Sequence, residues 1–353
     1  MNVLDDSRVL RRVDKDDVLR AFELLPEQAR QAWSESSRLS VRSEGVKRVV
    51  VSGMGGSALG PQILRSVYRE RFSVPVEIMN GYALPGGVGP ETLVVLSSYS
   101  GTTEETLATA AEAMKRKTKI FGICAGGPLA AFLKRRKAPA YVFDAVNNPG
   151  NRPRMALGYS VFGLLGAFSA FKLLPGLAKD AAGAIHALHE GVRHYGAKAQ
   201  QADNEAKKLA VALDKVMPIY VAAEHLEGSA HALANQTNET GKQFATWFAL
   251  PELNHHLMEG LAHPVSKKNL EFVFLGSSLY RDRVKKRFPL TEEVVRKNGL
   301  RTRHWESREK TRLAQAMELL AFGGAMTYYL GILHRENPSP NPWVDYFKRR
   351  LAG

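Results

Sequence analysis

The stretch VVVSGMGGSALG, residues 49–60, decides the fold, because an apolar run breaks into glycine and serine and then resumes with helical spacing. That order is typical of a parallel strand that passes through a tight turn into a helix and presents backbone N–H groups to an anion. Residues without a Cβ and residues with a hydroxyl follow the strand at Ser52, Gly53, Gly55, Gly56, Ser57 and Gly60. The stretch predicts a phosphate-binding turn, with a dinucleotide site and a plain tight connection as alternatives.

Nucleotide-binding motifs fit this turn poorly. The turn has no Gly-Lys-Ser/Thr, which excludes a Walker-type loop. Gly53, Gly55 and Ala58 nearly meet the Gly-x-Gly-x-x-Gly spacing of a dinucleotide site. The acidic ribose anchor expected roughly 20 residues later has only Glu70 and Glu77 as candidates, and neither clearly ends a second strand. Nicotinamide binding therefore remains a minority alternative.

A second turn, SSYSGTTEET at residues 97–106, follows the apolar strand 92–96 and concentrates serine and threonine around one glycine. An ordinary helix cap followed by Glu104 and Glu105 would explain one of these hydroxyls, but not all of them. Two such turns on neighbouring parallel strands would converge at the carboxyl edge of the sheet, where open α/β sheets bind ligands. Neutral hydroxyls and backbone amides suit a phosphate that must also leave.

Length and composition predict a two-domain protein of the cytoplasm. The chain has 353 residues and 44% hydrophobic content, enough for a large core. Its start, MNVLDDSRVLRRVDKDD, lacks the apolar region of a signal peptide, and no stretch reaches roughly 18 uninterrupted apolar residues, so we expect no membrane association. The lone Cys124 excludes disulfides within the chain and thiolate metal clusters, and we expect it to be a small buried hydrophobe.

The net charge of +14 could indicate a protein that binds nucleic acid. Neither basic residues interleaved with aromatic ones nor a helix-turn-helix pattern is present, so we expect no nucleic-acid partner. The basic runs at 115–119, 134–137 and 283–287 end helical patterns, where cations favour the helix dipole, and they are interpreted as solvated faces. The remaining positive field would attract an anionic substrate such as a sugar phosphate.

Strands alternate with helical segments along most of the chain, which predicts a doubly wound parallel α/β fold. The predicted strands are 48–52, 76–79, 92–96, 119–124 and 140–143, followed by 217–223, 243–248, 271–276 and 301–305. The polar helical stretch 179–213 is interpreted as a connector, and helices are expected at 310–333 and 343–351. We expect a helical extension at 1–27, a first domain at 28–178 and a second domain with a C-terminal helix at 179–353.

An ordered set of motifs now resembles a known family. The motifs are GMGGSALG (53–60), SSYSGTTEET (97–106), PRMALGY (153–159), NETGK (238–242), PELNHH (251–256) and PSPNPWVDYFKRRL (338–351). Together they resemble the bifunctional phosphoglucose/phosphomannose isomerases, which are built from two sugar-isomerase (SIS) domains. The resemblance covers most of the chain and implies two flavodoxin-like parallel sheets, each flanked by helices.

The resemblance also implies a reaction and a set of site residues. The reaction is the interconversion of glucose 6-phosphate or mannose 6-phosphate with fructose 6-phosphate through a cis-enediolate, without a metal or an organic cofactor. Glu239 is the implied base, Arg154 the cation for the enediolate, and His255 and Lys348 the ring-opening groups. The implied phosphate-binding residues are Gly55, Gly56, Ser57, Ser98, Ser100 and Thr103. Because the family's histidine comes from the neighbouring subunit, the resemblance implies a homodimer in which His255 crosses the interface.

Each assignment has a simpler alternative. Glu239 and Lys242 lie three residues apart and would suit a surface ion pair. His255 would suit a plain loop position, Arg154 a local cap or pair, and Lys348 a basic surface cluster. A metal site built from His255, His256 and Glu259 lacks convincing ligand spacing.

The sequence also departs from the family pattern at Thr102, at Thr240-Gly241 and at His256-Leu257, where the family usually has Asn, Asn-Ala and Asn-Glu. The last departure puts the orientation of His255 in question. The rival functions are a phosphosugar-binding SIS sensor without catalysis and an isomerase of another sugar phosphate.

Overall fold

The computed structural model describes residues 2–351 and contains two parallel sheets. Sheet A has the spatial order β2-β1-β3-β4-β5 and sheet B the order β7-β6-β8-β9. The strands of sheet A are β1 (Arg48–Ser52), β2 (Val76–Met79), β3 (Thr92–Ser97), β4 (Lys119–Cys124) and β5 (Ala140–Val142). Those of sheet B are β6 (Met217–Ala223), β7 (Thr246–Leu250), β8 (Leu270–Gly276) and β9 (Arg301–Glu306).

Helices precede, connect and follow these strands. The first part of the chain contains α1 (Ser7–Val13), α2 (Val18–Glu23), α3 (Leu25–Ser36), α4 (Gly56–Tyr68), α5 (Glu104–Lys115), α6 (Gly127–Arg136) and α7 (Leu157–Ala170). The second part contains α8 (Ala178–Tyr195), α9 (Glu205–Leu213), α10 (Glu227–Glu239), α11 (Leu253–His256), α12 (Asp282–Lys297), α13 (Arg312–Leu333) and α14 (Pro342–Leu351).

Sheet A is covered on both faces, which explains why its central strands are apolar throughout rather than alternating. Every residue of β3 is buried. Val49 and Val51 join one core with residues of α4 and α7, whereas Val50 joins a second core with residues of α5 and α6. Cys124 is buried in that second core. The predicted doubly wound α/β fold is confirmed.

Each sheet has one point at which its connections depart in opposite directions. In sheet A this switch point lies between β1 and β3, and in sheet B between β6 and β8. Ligands of open α/β sheets bind at the carboxyl ends of the strands beside such a point. The turns after β1 and β3, which the sequence singles out, flank the switch point of sheet A.

Helices α4 and α10 join the two halves in an antiparallel pair. Each has 13 residues. An added Cβ on Gly228, near the start of α10, would lie 2.6 Å from the Ile63 backbone in α4. Arg69, just past the end of α4, donates to Glu227 at the start of α10 across 2.9 Å. The end of α4 therefore lies at the beginning of α10, and at the opposite end of the pair Arg154 lies between Gly56 of α4 and Glu239 of α10.

Two expectations about the second half need correction. Residues 179–213 are not merely a connector, because Ala184 and Leu188 of α8 and Ala210 of α9 are fully buried in the core they share with α13. The strand expected at 243–248 begins only at Thr246. The preceding residues form a turn, in which the Gln243 amide donates to the Leu213 carbonyl and Asn238 Oδ1 accepts from the Ala245 N–H.

Helix α13 is the one helix within residues 2–351 that is long and apolar enough to cross a membrane by length and composition. Of its most apolar window, 89% is buried inside the fold. It packs against α8, α9 and α10. Its apolar character is therefore that of a core helix.

Candidate active site

The first turn leaves the beginning of α4 open to a ligand. Gly55 has φ +49° and an open space where a Cβ would stand, so the backbone is exposed at that point. No side chain caps α4; the Ser57 and Ala58 N–H groups donate to the Met54 and Gly55 carbonyls, and the N–H groups of Gly55 and Gly56 are left to a ligand. Helix N-termini of this kind bind anions. The turn therefore has the local structure that a phosphate requires.

Ser57 ties the first turn to the second. Its Oγ accepts the Tyr99 N–H across 2.9 Å, and its carbonyl accepts the Ser97 hydroxyl across 2.8 Å. A buried hydroxyl that accepts one bond still has a proton to donate to a ligand oxygen. Pro153 and Ala156 form the facing wall of a narrow cleft beside Ser57.

The second turn is held by its own hydroxyls. Ser98 and Thr103 share a hydrogen bond of 2.8 Å, and Ser100 and Thr102 share another of 2.8 Å. Thr103 occupies the cap position of α5, yet its hydroxyl makes no cap bond. The capping interpretation therefore does not account for it. Gly101 has φ +68°, and a Cβ there would overlap the Gly126 carbonyl oxygen of the next turn.

The acidic ribose anchor of a dinucleotide site is missing from this edge. Glu77 lies within β2 and pairs with Arg48. Glu70 pairs with Arg281 and Arg312 of the second half. At the end of β2 stands Asn80, whose amide donates to the Gly53 carbonyl across 2.6 Å and so closes the glycine turn itself.

Arg154 and Glu239 lie together beside the first turn. An added Cβ on Gly56 would stand 3.2 Å from the Arg154 backbone nitrogen. Arg154 Nη1 and Glu239 Oε2 are 3.8 Å apart, with the arginine side chain 5% exposed and the glutamate side chain 33% exposed. That separation is too long for a hydrogen bond, and it leaves both groups able to contact one ligand oxygen.

The other donors of Arg154 are occupied by protein. Nε donates to the Thr240 hydroxyl across 3.1 Å, and Nη2 donates to the Pro338 carbonyl across 2.7 Å and to the Ser339 carbonyl. Burial lowers the pKa of the Arg154 guanidinium, and the Glu239 carboxylate opposes that effect. The arginine is thereby fixed in one orientation, with Nη1 towards Glu239.

Lys242 does not form the surface ion pair that its spacing from Glu239 suggests. Its Nζ donates to the Glu239 main-chain carbonyl across 2.7 Å, to the Pro340 carbonyl, and to Asn341 Oδ1 across 3.3 Å. Asn341 Nδ2 in turn donates to Glu239 Oε2 across 2.7 Å.

Sequence reasoning assigned no role to Lys242 or Asn341. The only signal was the nearness of Lys242 to Glu239 within NETGK, and that spacing pointed to the wrong pairing. Asn341 is 102 positions from Glu239, and no local pattern joins the two.

His255 and Lys348 lie apart from this cluster. His255 is an exposed residue of α11, and Lys348 is an exposed residue of α14, which buries no side chain. Within residues 2–351 neither side chain makes a hydrogen bond to the residues above. Over the same residues, no three His, Cys, Asp or Glu side chains are grouped to hold a metal ion.

The corresponding edge of sheet B is filled by protein side chains. His225 follows β6 and is 1% exposed, and its Nε2 lies 2.7 Å from Gln315 Oε1 and 3.3 Å from Ser277 Oγ. The Tyr280 hydroxyl accepts the Ala223 N–H across 3.2 Å. Burial lowers the pKa of His225 to about 4, so the ring is neutral at pH 7.

Comparison with known proteins agrees with this architecture. Residues 202–351 match the family model of the bacterial phospho-glucose isomerase C-terminal SIS domain. A crystal structure of a hypothetical protein from Thermus thermophilus superposes with a TM-score of 0.75 at 21% identity, covering 98% of this chain and 94% of that one. At that identity the likeness concerns the fold alone.

Two curated relatives carry the name bifunctional phosphoglucose/phosphomannose isomerase. The protein from Caldicellulosiruptor bescii is 31% identical over 93% of this chain and 97% of its own length. The protein from Thermoplasma acidophilum is 26% identical over 89% of this chain and 92% of its own. The chain belongs to the bifunctional phosphoglucose/phosphomannose isomerase family.

Proposed function

We propose that this enzyme interconverts fructose 6-phosphate with glucose 6-phosphate, mannose 6-phosphate or both, through a cis-enediolate. Membership of the family supports sugar-phosphate isomerisation. The observation that carries the residue assignments is the position of Glu239 and Arg154 against the glycine turn of sheet A. One site thus offers an anion cradle, a carboxylate and a buried cation.

The phosphate would bind the two turns of sheet A. The uncapped start of α4 supplies the N–H groups of Gly55 and Gly56, and hydroxyls come from Ser57, Ser98, Ser100 and Thr103. These groups are neutral and are fixed by bonds within the second turn and between the two turns, so they accept an anion without rearrangement. Because no lysine or arginine clamps the phosphate in this arrangement, product release is not opposed by a buried ion pair.

Glu239 would move the proton between C2 and C1. Asn341 occupies Oε2 of the carboxylate, which leaves Oε1 free to act as the base. Arg154 Nη1, on the opposite side of a 3.8 Å gap, would stabilise the negative charge that develops on the enediolate oxygen. All steps are proton transfers within one substrate, so the mechanism calls for no electron acceptor or organic cofactor.

Ring opening would require groups brought in from outside this cluster. We assign it to His255 of a second subunit and to Lys348, and we accordingly propose a homodimer. The exposed positions of both side chains on α11 and α14 suit delivery across an interface. Because phosphorylated sugars do not cross a lipid bilayer unaided, we place the enzyme in the cytoplasm.

A phosphosugar sensor without catalysis is the second candidate function. It is favoured by one observation: among the described residues of a single chain, His255 makes no hydrogen bond to the Glu239 cluster. An isomerase of another sugar phosphate would use the same cradle and base. The three functions differ in turnover and in substrate rather than in phosphate binding.

A coupled assay of the purified protein with fructose 6-phosphate separates these functions. Glucose 6-phosphate and mannose 6-phosphate are followed independently. Formation of both supports the bifunctional isomerase, and formation of glucose 6-phosphate alone narrows the activity to a phosphoglucose isomerase. Binding without either product would favour the sensor or a different sugar phosphate.

A further inference from the structure

Lys242 lies at the point where the catalytic helix meets the Pro-rich segment 338–341. Helix α10 ends at Glu239, and Lys242 follows with φ +54° in a turn that directs its side chain back towards the helix. Its ammonium has three oxygen partners: the main-chain carbonyls of Glu239 and Pro340 and the side-chain oxygen of Asn341. An ammonium has three protons, so each donor has an acceptor.

This arrangement decides how the Asn341 amide is oriented. Its Oδ1 accepts from Lys242 Nζ across 3.3 Å, and its Nδ2 donates to Glu239 Oε2 across 2.7 Å. If the amide turned over, an NH₂ group would face the ammonium and an oxygen would face the carboxylate. Both contacts would then be repulsive. The charge of Lys242 therefore holds the Asn341 nitrogen against the carboxylate.

We propose that Lys242 is a positioning residue for the isomerisation, and that it acts through Asn341 to aim the Glu239 carboxylate at the substrate. With Asn341 on Oε2, the free Oε1 has one defined position. A base misplaced by about 1 Å loses about 100-fold in rate. The proposal rests on the proposed function, because it requires Glu239 to be the base.

The ammonium is surrounded by charges of both signs. Repulsion from Arg154 and Arg152 disfavours the protonated form of Lys242. Attraction to Glu239 on α10 and to Glu336 beside the Pro-rich segment favours it. The neighbouring Gly241 carbonyl contacts His334, which itself pairs with Asp214. Burial, with Arg154 next, lowers the pKa of Lys242 to about 8. The positioning charge is thus present at neutral pH and is lost as the pH rises through 8.

The test compares Lys242→Met and Lys242→Arg with a matched control, Lys215→Met. Lys215 is exposed and also has a positive φ, of 63°, but it lies outside the site. We expect Lys242→Met to lower kcat for fructose 6-phosphate about 10- to 100-fold with KM changed less than about threefold, because phosphate binding is separate. Lys215→Met keeps the wild-type kcat.

The pH profile separates positioning from simple support of the fold. Wild-type kcat is expected to fall as the pH rises through about 8. Lys242→Arg restores much of the kcat lost in Lys242→Met, and its profile lacks this alkaline limb because arginine stays protonated. Thermal unfolding of each variant reports stability separately.

A second variant tests the route through Asn341. Asn341→Leu should lower kcat at least as much as Lys242→Met, and the double variant should be no slower than Asn341→Leu alone. Multiplying losses, or a Lys242→Met enzyme with wild-type kcat and an unchanged pH profile, would overturn this proposal while leaving the isomerase intact. An inactive wild-type protein would overturn both proposals.

Discussion

The carboxyl edges of the two sheets have the same topology and opposite contents. Beside the switch point of sheet A stand glycines, serines and threonines, and open space lies where a Cβ of Gly55 would stand. Beside that of sheet B, the buried side chains of His225, Ser277 and Tyr280 occupy the equivalent place. A repeated fold therefore provides two potential sites, and the side chains that follow β1 and β6 determine which of the two stays open.

The antiparallel pair of α4 and α10 explains how the second half of the chain, whose own sheet edge is filled, contributes Glu239 to the edge of sheet A. The beginning of α4 carries the glycine turn proposed to bind phosphate, and the end of α10 carries Glu239 to Arg154 beside that turn. At the other end of the pair, Arg69 and Glu70 beyond α4 make ion pairs with Glu227, Arg281 and Arg312. One end of the pair therefore carries the candidate site, and the other end carries ion pairs between the two halves.

Substitution of Glu239 should lower turnover more than any other change, because Glu239 is the proposed base at the edge of sheet A. Glu239→Gln removes the base while keeping the size and the contact with Asn341, so kcat should fall about 100- to 10,000-fold with fructose 6-phosphate binding retained. The matched control is Glu224→Gln at the edge of sheet B, which should keep wild-type turnover. Steady-state kinetics and calorimetric binding measure both. Equal turnover of Glu239→Gln and wild type would remove Glu239 from the mechanism.

Glycine substitutions test whether the open edge depends on close backbone contacts. Gly101→Ala places a Cβ onto the Gly126 carbonyl at φ +68°. It should lower the free energy of unfolding by at least about 1–3 kcal/mol and weaken phosphosugar binding. At the other edge, a Cβ on Gly276 meets its nearest atom at 3.4 Å. Gly276→Ala should therefore stay within about 1 kcal/mol of wild type in urea unfolding. Equal costs at both positions would contradict the comparison.

Removal of single hydroxyl groups tests whether the edge of sheet A, and not that of sheet B, contributes to the affinity for substrate. Loss of one hydrogen bond to a charged group costs about 1.5–3 kcal/mol, so Ser98→Ala should raise KM for fructose 6-phosphate about 10- to 100-fold. Ser277→Ala, at the edge of sheet B, should lower stability without changing KM. Steady-state kinetics and unfolding curves for the two variants decide the point. A raised KM in Ser277→Ala would mean that sheet B also contacts substrate.

The smallest expected effect on activity comes from His225 in sheet B, which should change the pH dependence of stability and leave turnover unchanged. His225 has a pKa of about 4 in the folded protein against 6.5 for an ordinary histidine. Between those values the unfolded chain binds a proton that the folded protein does not. This contribution to stability is therefore complete above about pH 6.5 and is lost towards pH 4, by up to about 1.4 kcal/mol per pH unit.

Replacement of the buried ring isolates this contribution. In His225→Gln the decrease in unfolding free energy between pH 6.5 and 4.5 should be smaller than in wild type. His186→Gln, on the exposed side of α8, should show the wild-type decrease. Urea unfolding at several pH values measures both variants. An unchanged pH dependence in His225→Gln would show that the ring does not resist protonation.

The sequence predicted the parts of this protein that local pattern determines. The central strands β1 and β3 of sheet A are buried apolar runs, and both hydroxyl turns fall directly after them, so their convergence followed from parallel topology. The pairing of Arg154 with Glu239 was within reach only because a family resemblance placed both residues in one site. Their separation of 85 positions carries no pattern of its own.

What the sequence did not reveal depends on contacts with distant backbone oxygens. Lys242 and Arg154 donate to main-chain carbonyls of residues 338–340. Every residue type has such a carbonyl, so no pattern of side chains indicates these contacts. The filling of sheet B by His225 was equally hidden, since Glu-His-Leu-Glu resembles an exposed turn. The late start of β7 arose because Asn238 Oδ1 accepts the Ala245 N–H, a backbone group that a longer strand would have used.

We expect sheet A, and not sheet B, to hold the substrate against Glu239. The most direct measurement is a crystal structure of the Glu239→Gln protein with fructose 6-phosphate. We expect the phosphate to lie against Gly56, Ser57 and Ser98, with the sugar carbon chain between Arg154 and residue 239. A phosphate at the edge of sheet B, beside Glu224 and Ser277, would contradict it.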